Sequence, residues 1–286
     1  MKTTTNQNTV APPTGGVHGR PDTGRQGKVC LVTGGGGVHV GWGICLALAQ
    51  QGYHVVVADK SIEAAGSAVE RLGALGFPAS ALAIDVADVA SFDSRIADVL
   101  GRLGRLDGLV NSAAVGLSEM LTTISPSQFD QLMHVNVRGA LWLARAAAEP
   151  MAAAGGGSIV NIGSVHGHHA AHGYGLYAAT KAALVAVSRG LAIELGPDRI
   201  RCNVVHPGAV RQEADLDSET GDPEVRSRHE DFVVKRQMLH QSIRPIDVGN
   251  AVAFLISESG QMITGTELTI DAGTSALLHD LDRARP

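Results

Sequence analysis

The chain has 286 residues, of which 44% are hydrophobic, so it can bury the core of one large α/β domain and does not require a second domain. Charged residues make up 18%, aromatic residues 3%, and the net charge is −5, which gives no electrostatic or stacking basis for binding nucleic acid or an anionic membrane. No apolar run approaches the roughly 18 residues that span a bilayer. We therefore expect neither a nucleic-acid partner nor a membrane partner.

The two termini differ in composition from the sequence between them. Residues 1–27 are polar and rich in proline and glycine, without the apolar centre of a signal peptide, and this predicts a disordered N-terminal tail. We place the ordered domain at residues 28–276 and a C-terminal tail at 277–286. Three cysteines lie in separate apolar segments without metal-ligand spacing, which indicates buried thiols in a reducing cytoplasm and no metal site: Cys30, Cys45 and Cys202.

Between the tails, short apolar segments alternate with helical patterns. The strand-like segments are, in chain order, KVCLVTG, HVVVAD, SALAID, LDGLVNSAA, SIVNIGS, IRCNVVHPG and TELTIDAG. The helical ones are GWGICLALAQQG, SIEAAGSAVERLGALG, VADVASFDSRIADVLGRLG, a long one at about 126–153, GLYAATKAALVAVSRGLAIELG and one near 245–258. Because strands joined by helices of this length need crossover connections, we predict a single-domain, Rossmann-type, doubly wound parallel sheet of about seven strands with helices on both faces.

One long polar insertion interrupts this alternation at residues 211–237, after the sixth predicted strand. Open α/β sheets bind ligands beyond the carboxyl ends of their strands, and the insertion begins there. A polar insertion of this length inside a compact domain is typical of a lid. We therefore predict a substrate lid at about 209–240.

The first predicted strand leads into the first helix through VTGGGGVHVGWG, which has glycine at 34–37, 41 and 43. Amide N–H groups at a helix N-terminus can hold a phosphate when no side chain blocks the approach, and a dinucleotide-binding fold places its glycine loop at this position. Asp59 ends the second strand, where a carboxylate can accept hydrogen bonds from the adenosine ribose hydroxyls and repel a 2′-phosphate. These features predict NAD in preference to NADP, although the adjacent Lys60 partly offsets the repulsion.

Further along, the segment YAATK puts Tyr177 four residues before Lys181. The interconversion of an alcohol and a ketone by hydride transfer needs a proton moved at oxygen, and free tyrosine, with a pKa of about 10, is a poor base near neutrality. A lysine one helical turn away lies on the same helix face, and its positive charge, with that of the oxidised nicotinamide, favours the tyrosinate. The spacing therefore predicts that Lys181 lowers the pKa of Tyr177.

These motifs occur in an order that resembles the short-chain dehydrogenase/reductase family over about residues 28–276. IDVAD resembles the family's adenine-contacting Asp-Val pair, LVNSAA its Asn-Asn-Ala-Gly run, and HPGAV its late Pro-Gly segment. The resemblance implies a cofactor site for NAD made of Gly34, Gly41, Trp42, Gly43, Asp59, Asp85, Val86, Asn111, Ala113, Tyr177, Lys181, Pro207 and Val210. It also implies a small-molecule alcohol or ketone as substrate and a homotetramer or homodimer.

The resemblance further implies the catalytic roles. Tyr177 is the general acid/base, Ser164 donates a hydrogen bond to the substrate oxygen, and Lys181 also bonds the nicotinamide ribose. Asn136, in VNVRG, holds a water that links Lys181 to solvent as a proton relay. The implied activity is an NAD-dependent oxidoreductase that interconverts a secondary alcohol and a ketone.

Two alternatives stay open. The glycine loop is three residues longer than is usual in the family, which is reminiscent of its enoyl-carrier-protein reductase branch, and that branch spaces its tyrosine and lysine seven apart, as Tyr174 and Lys181 are here. An enoyl-thioester reductase-like enzyme using Tyr174 is therefore one alternative, although Ser164 and Asn136 match the alcohol-dehydrogenase pattern. A nucleotide-sensing regulatory protein on the same fold is the other.

Four histidines follow Ser164 closely in sequence: His166, His168, His169 and His172. Their spacing matches no standard metal site, and no acidic or thiol ligand accompanies them in the segment. We interpret them as a solvated loop near the mouth of the substrate pocket. Contact with a polar or anionic substrate is the alternative.

Overall fold

The computed structural model describes residues 27–211 and 223–277. Within these residues, seven parallel strands form one sheet in the order β3-β2-β1-β4-β5-β6-β7. The strands are β1 (Val29–Thr33), β2 (His54–Asp59), β3 (Ala79–Ala83), β4 (Gly108–Asn111), β5 (Gly157–Ile162), β6 (Ile200–Pro207) and β7 (Glu267–Ile270). The predicted doubly wound parallel sheet of a single α/β domain is confirmed.

Helices cover both faces of this sheet. They are α1 (Val40–Gln50), α2 (Ile62–Ala74), α3 (Phe92–Leu103), α4 (Pro126–Met133), α5 (Ala140–Ala153), α6 (Gly175–Leu195), α7 (Pro223–Arg236) and α8 (Pro245–Ile256). Alternate residues of the central strands enter two cores: Val32 packs with α1, α2 and α8, whereas Leu31 packs with α3, α5 and α6. Burial on both faces explains why the strands read as continuous apolar runs.

The long helix predicted at about 126–153 is present over that range, but a π-helical turn at His134–Gly139 divides it into α4 and α5. A π turn adds a residue to the helical turn and shifts the backbone hydrogen bonds, which an apolar pattern with a period near 3.6 does not reveal. The turn carries Asn136. Gly139, at its end, lies against the loop after β3, since a Cβ there would lie 2.3 Å from the Val86 carbonyl oxygen.

One described segment, Gly175–Asp198, is long and apolar enough to cross a membrane, contrary to the expectation from the sequence. Half of its apolar window is buried inside the protein, and α6 contributes Leu191 and Ala192 to the core. The core helix of a globular protein meets the same criterion, so this single helix is weak evidence for a membrane span.

The strand order reverses between β1 and β4, and such a reversal opens the crevice where doubly wound sheets bind ligands. Several predicted site residues lie at the carboxyl ends of the strands or within two residues of them: Asp59, Asn111, Ser164 and Pro207. Of the predicted tails, only Gly27 and Leu277 fall within the described residues. Residues 212–222 of the predicted lid also lie outside them.

Candidate active site

The turn after β1 is tight enough to require glycine at two positions. Gly34 has φ +68°, and a Cβ there would lie 2.9 Å from Ala113 Cα, while a Cβ at Gly41 would lie 2.1 Å from the Gly34 carbonyl oxygen. The Thr33 hydroxyl accepts hydrogen bonds from the backbone N–H groups of Ser112 (3.0 Å) and Ala113 (3.1 Å). The end of β1, the start of α1 and the loop after β4 therefore meet as closely packed backbone.

The longer part of the glycine loop is exposed from Gly37 to His39, and α1 begins at Val40. The His39 side chain makes no cap hydrogen bond to the helix. The first-turn N–H groups and the positive end of the helix dipole thus lack a side-chain cap, and such an end suits a phosphate. This end of α1 fits the pyrophosphate of a dinucleotide.

Trp42 and Gly43, both predicted to contact the cofactor, also make contacts within the protein. The Arg71 guanidinium lies 3.9 Å from the centroid of the Trp42 ring and donates to the Gly37 carbonyl (2.9 Å), which ties α2 to the exposed loop. A Cβ at Gly43 would lie 2.1 Å from the carbonyl carbon and oxygen of Pro245. Gly43 therefore allows α1 and α8 to touch, which a side chain would prevent.

Asp59 lies at the end of β2, beside the glycine loop. One carboxylate oxygen, Oδ2, accepts from the Gly36 N–H (3.1 Å), and the other, Oδ1, accepts from the Ser61 N–H (3.2 Å). A Cβ at Gly36 would lie 2.9 Å from Asp59 Oδ2, so glycine is needed for this contact. The carboxylate is held in place by backbone donors, and this fits the predicted ribose contact.

Lys60, the cation that could offset repulsion by Asp59, is paired with Asp85. Its Nζ lies 3.0 Å from Asp85 Oδ2. A hydrogen bond from the Ala87 N–H, and then the Lys60 contact, hold the pKa of Asp85 below its usual range. Asp85 therefore stays ionised near neutrality, at the end of the crevice where the adenine is predicted, next to the buried Val86.

Ser164, Tyr177 and Lys181 converge at the carboxyl edge of β5. The Tyr177 phenol interacts with the Ser164 side chain, which lowers the pKa of Tyr177, and Ser164 Oγ accepts from the His166 N–H (3.2 Å). Lys181 Nζ donates to the Ile162 carbonyl (2.8 Å) and lies 5.6 Å from the centroid of the Tyr177 ring. The structure thus brings the three predicted catalytic side chains close together.

The predicted lowering of the Tyr177 pKa, which counts the charge of the oxidised nicotinamide as well as that of Lys181, stays a prediction. Burial raises this pKa above its usual value, and the nearby Tyr174 adds to the rise, while the Ser164 hydrogen bond lowers it. Burial also lowers the pKa of Lys181 to about 8. Removal from water penalises phenolate and ammonium alike, and the spacing argument omitted this cost.

The Asn136 side chain clamps two parts of the site together. Its Oδ1 accepts from the Val115 N–H (2.8 Å), and its Nδ2 donates to the Val115 carbonyl (2.9 Å) and to Thr180 Oγ1 (3.1 Å). The loop after β4 is thereby fixed to α6, next to Lys181. Both amide hydrogens are in use, so the predicted relay water is left with the second lone pair of Oδ1 or the backbone of the π turn, and this role stays a prediction.

The Asn111 side chain serves the core, although the resemblance placed it at the cofactor. Its Nδ2 donates to Asn161 Oδ1 (2.8 Å) and to the Ala140 carbonyl (3.3 Å), and Asn161 in turn donates to Ser188 Oγ (2.8 Å). This buried chain of amides joins β4 and β5 to α5 and α6. A cofactor contact at Asn111 is therefore left to its backbone.

A cavity of about 710 Å³ opens beside Ser164. Its wall includes Phe232 and Arg236 of α7, so the helical part of the predicted lid and Ser164 line the same cavity. The chain leaves β6 at Pro207 and runs to Val210, which forms a parallel bridge with Ile243. This bridge ties the start of the lid segment to the start of α8.

The histidines after Ser164 do not form a uniformly solvated loop. The His166 ring stacks on Tyr174, with centroids 5.1 Å apart, and its Nδ1 lies 3.1 Å from the His169 carbonyl oxygen. His168 Nε2 lies 2.7 Å from Glu267 Oε2. The interpretation as solvated residues holds for the exposed His168, His169 and His172, although His168 also contacts Glu267, and fails for the half-buried His166.

Sequence reasoning missed His206, which contacts the backbone of Ser164, and Glu267, which contacts His206. One signal was available: a histidine within the apolar strand IRCNVVHPG must find partners when it is buried. The identity of its partner follows only from the pairing of β6 with β7.

A protein-family model described as enoyl-(acyl carrier protein) reductase matches residues 37–275. The cyclopentanol dehydrogenase of Comamonas sp. (strain NCIMB 9872) is 32% identical over 251 residues, covering 87% of this chain and 97% of that protein. The chain belongs to the short-chain dehydrogenase/reductase family.

Other members of this family show the same relationship. The human 3-oxoacyl-[acyl-carrier-protein] reductase is 32% identical over 251 residues, covering 88% of this chain and 99% of that protein. A crystal structure from Sinorhizobium meliloti 1021, of a protein assigned as a short-chain alcohol dehydrogenase, superposes with a TM-score of 0.80 at 30% identity, covering 88% of this chain and 98% of that chain. Short-chain dehydrogenases/reductases use nicotinamide cofactors, and their activities support an oxidoreductase acting on CH–OH groups.

Proposed function

We propose that the chain is an NAD-dependent oxidoreductase that interconverts a small secondary alcohol and a ketone. The observation that carries this proposal is the interaction of the Ser164 and Tyr177 side chains, with Lys181 one turn further along α6 and Ser164 in the wall of a cavity. When bound, the nicotinamide supplies the hydride acceptor or donor. The residues of the chain orient the substrate oxygen and move its proton.

Tyr177 is the proposed general acid and base. In ketone reduction it donates its proton to the substrate oxygen, and the burial that raises its pKa keeps the phenol protonated for this step. In alcohol oxidation it accepts the proton, and the positive charge of Lys181 then stabilises the phenolate. Ser164 donates a hydrogen bond to the same substrate oxygen and stabilises the charge that develops there.

NAD is the proposed cofactor, held by the uncapped start of α1 and by Asp59. The Asp59 carboxylate is fixed by the Gly36 and Ser61 N–H groups and would repel a 2′-phosphate. Because Lys60 is paired with Asp85, its charge is partly neutralised by a carboxylate. This pairing supports the proposed preference for NAD.

The proposed substrate is a small cyclic alcohol or a polyol. The cavity beside Ser164 mixes apolar groups, such as Phe232 and Ala170, with polar ones, such as His169 and Thr274. Two relatives support these substrate types by their names. One is cyclopentanol dehydrogenase, named for a cyclic alcohol, and the other is the D-xylose 1-dehydrogenase of Caulobacter vibrioides, also 32% identical, named for a polyhydroxylated sugar. We also propose a cytoplasmic location and assembly as a homotetramer or homodimer.

An enoyl-thioester reductase-like activity is the second candidate, and the description of the matching family model favours it. It would use Tyr174, which is the residue before α6 and stacks on His166 at the surface. Tyr174 is 37% exposed, and Ser164 is bonded to Tyr177 instead. The geometry therefore favours alcohol chemistry. It also disfavours a purely nucleotide-sensing role, which does not need this hydroxyl pair.

The test is NADH formation by the purified protein with a panel of cyclic alcohols and polyols, run beside NADH consumption with a short enoyl thioester. We expect turnover of one or more alcohols and none of the thioester. Turnover of the thioester alone would establish the second candidate. A protein that binds NAD but turns over neither class would overturn both.

A further inference from the structure

His206, the last but one residue of β6, lies directly behind Ser164. Its ring is fully buried, and Nδ1 lies 3.1 Å from the Ser164 backbone nitrogen and 2.7 Å from the Ser164 carbonyl oxygen. A Cβ at Gly163 would lie 2.5 Å from His206 Nδ1, so the ring fits only because residue 163 has no side chain. The imidazole thus touches both ends of the catalytic serine's backbone.

The other side of the ring is anchored by a carboxylate. His206 Nε2 lies 2.9 Å from Glu267 Oε2, and the same oxygen lies 2.7 Å from His168 Nε2. Glu267 Oε1 accepts from Arg189 Nη2 (2.5 Å) on α6. One carboxylate therefore joins β7, β6, α6 and the loop that follows Ser164.

A metal ion is the first occupant to consider, because ligand atoms of His168, His206 and Glu267 lie within 4.8 Å of one another. Two histidines and a carboxylate can hold zinc. The Arg189 guanidinium, however, already balances the carboxylate, and both histidine nitrogens are at hydrogen-bonding distance from Glu267 Oε2. These side chains therefore form a hydrogen-bonded unit in which Arg189 balances the charge of Glu267 without a metal.

The chemistry of Nδ1 gives this unit two states. A neutral ring that donates from Nε2 to Glu267 has a lone pair on Nδ1, which accepts from the Ser164 N–H. A protonated ring carries a hydrogen on both nitrogens, and Nδ1 must then donate to the Ser164 carbonyl. The two states bond different backbone groups of the same serine.

The charged surroundings determine which state prevails. Burial lowers the pKa of His206, and His168 lowers it further, while the bonds to Ser164 and Glu267 raise it in part. Arg189 acts through Glu267 from α6. The ring is therefore neutral near pH 7 and becomes protonated on acidification.

We propose that His206 is a positioning residue for Ser164, anchored by Glu267, and that its protonation exchanges the Ser164 N–H for the Ser164 carbonyl as its partner. The proposal rests on the proposed function for its effect on catalysis, since Ser164 must bind the substrate oxygen for the exchange to matter. Acid thus displaces the serine hydroxyl, while the cofactor site on the other side of Tyr177 is left in place.

The first test uses kinetics. We expect His206→Ala to lower kcat by about tenfold to a hundredfold, with NAD affinity unchanged, because a displaced group near the reacting atoms has effects of this size. His206→Asn keeps a neutral partner for Ser164, so it should retain more activity and lose the decline of kcat below neutral pH. Glu267→Gln should move the midpoint of that decline to lower pH, because it removes a charge that favours protonation of His206.

His172→Asn is the matched control, since His172 is an exposed histidine of the same loop outside this unit. It should keep the wild-type pH profile. An acid decline that is the same in wild type and His206→Asn, or that Glu267→Gln leaves at the wild-type pH, would overturn the proposal. A merely structural role of His206 would lower activity without moving this midpoint.

The second test does not depend on turnover, and so it separates this inference from the proposed function. In an NMR pH titration of the NAD-free protein, the Ser164 amide resonance should shift with the midpoint of the His206 ring, and it should not do so in His206→Asn. A Ser164 amide resonance that does not shift, or that shifts with a midpoint different from that of the His206 ring, would contradict the proposal. A rise in Tm on adding Zn²⁺ to wild type that is lost in His168→Asn would replace it with a metal site.

Discussion

Lys181 and Tyr177 lie one turn apart on α6, with the ammonium nitrogen 5.6 Å from the centre of the phenol ring, and both side chains are largely removed from water. Burial raises the pKa of Tyr177 and lowers that of Lys181 to about 8. At slightly alkaline pH the pair is therefore a neutral phenol beside an amine that is only partly protonated. This relationship sets the chemistry of the site and its stability.

The first prediction separates the two tyrosines. Tyr177→Phe removes only the hydroxyl that bonds Ser164, so kcat for alcohol oxidation should fall by about 10²- to 10⁴-fold, the usual worth of a general acid or base. NAD affinity, measured by calorimetry, should stay at the wild-type value. Tyr174→Phe is the matched control and should keep most of the activity. A larger loss in Tyr174→Phe would favour the enoyl-thioester reductase alternative.

The second prediction concerns Lys181 and pH. Its pKa falls from the usual 10.5 to about 8 on folding, so between these values the unfolded chain holds a proton that the folded chain has lost. Stability therefore rises with pH across this window, and the cost of burying the ammonium is fully present below pH 8. The size of the rise is about 3 kcal/mol.

Lys181→Met removes this titration. The unfolding free energies of wild type and Lys181→Met, measured by urea denaturation at several pH values, should differ by a quantity that grows in favour of wild type as the pH increases from 8 to 10.5. At neutral pH the variant should be inactive yet at least as stable as wild type. A difference that is constant with pH would contradict the buried ammonium.

The third prediction concerns cofactor choice. Asp59→Ser removes the carboxylate that repels a 2′-phosphate, so NADP affinity should rise by about tenfold to a hundredfold, which corresponds to about 1–3 kcal/mol of repulsion. Lys60→Ala serves as the control, and because Lys60 is paired with Asp85 it should change the NAD to NADP ratio far less. The measurement is the Kd of each cofactor by calorimetry. Wild-type NADP affinity equal to that for NAD would defeat the assignment of Asp59.

The fourth prediction concerns the contact between α1 and α8. In Gly43→Ala the new Cβ would meet the Pro245 carbonyl at 2.1 Å, so the unfolding free energy should fall by about 3 kcal/mol or more. Gly66→Ala, within α2, is the matched control, because no atom lies within 4 Å of a Cβ there, and it should gain about 0.5–1 kcal/mol. Chemical denaturation of both variants checks the pair. Equal stabilities would contradict the close approach.

The fifth prediction concerns Arg71. Arg71→Ala removes the cation above Trp42 and the donor to the Gly37 carbonyl, so the exposed part of the glycine loop should lose its tie to α2. We expect hydrogen exchange of the Gly37 and Val38 amides to accelerate and NAD affinity to fall by about threefold to tenfold, equivalent to about 1 kcal/mol. Arg95→Ala, on the exposed surface of α3, is the control. Unchanged exchange in Arg71→Ala would show that the contact does not order the loop.

Local patterns predicted the sheet, its seven strands, Asp59 at the end of β2 and the pairing of Tyr177 with Lys181, while the family resemblance identified Ser164. These features depend on alternation of apolar segments and on short spacings, which a sequence displays directly. The cost of burial, which raises the pKa of Tyr177, is not displayed in that way.

Contacts between distant positions were also out of reach. Arg71 of α2 donates to the carbonyl of Gly37, which lies 34 residues earlier in the chain. Glu267 contacts His206 only because β7 pairs with β6. The π turn around Asn136 lies inside a continuous helical segment, and the apolar pattern of the sequence does not reveal it. For Asn111 the sequence identified the position, but only the packing decides that its amide faces the core.

The backbone contact of α1 with α8 through Gly43 fixes where α1 can lie, and the extra residues of the preceding loop must therefore extend outwards, as the exposure of Gly37, Val38 and His39 shows. That projecting segment is a convenient attachment point. A cysteine introduced at Val38 and labelled with an environment-sensitive dye would report the arrival of a nucleotide by fluorescence, without disturbing either core or the reacting groups.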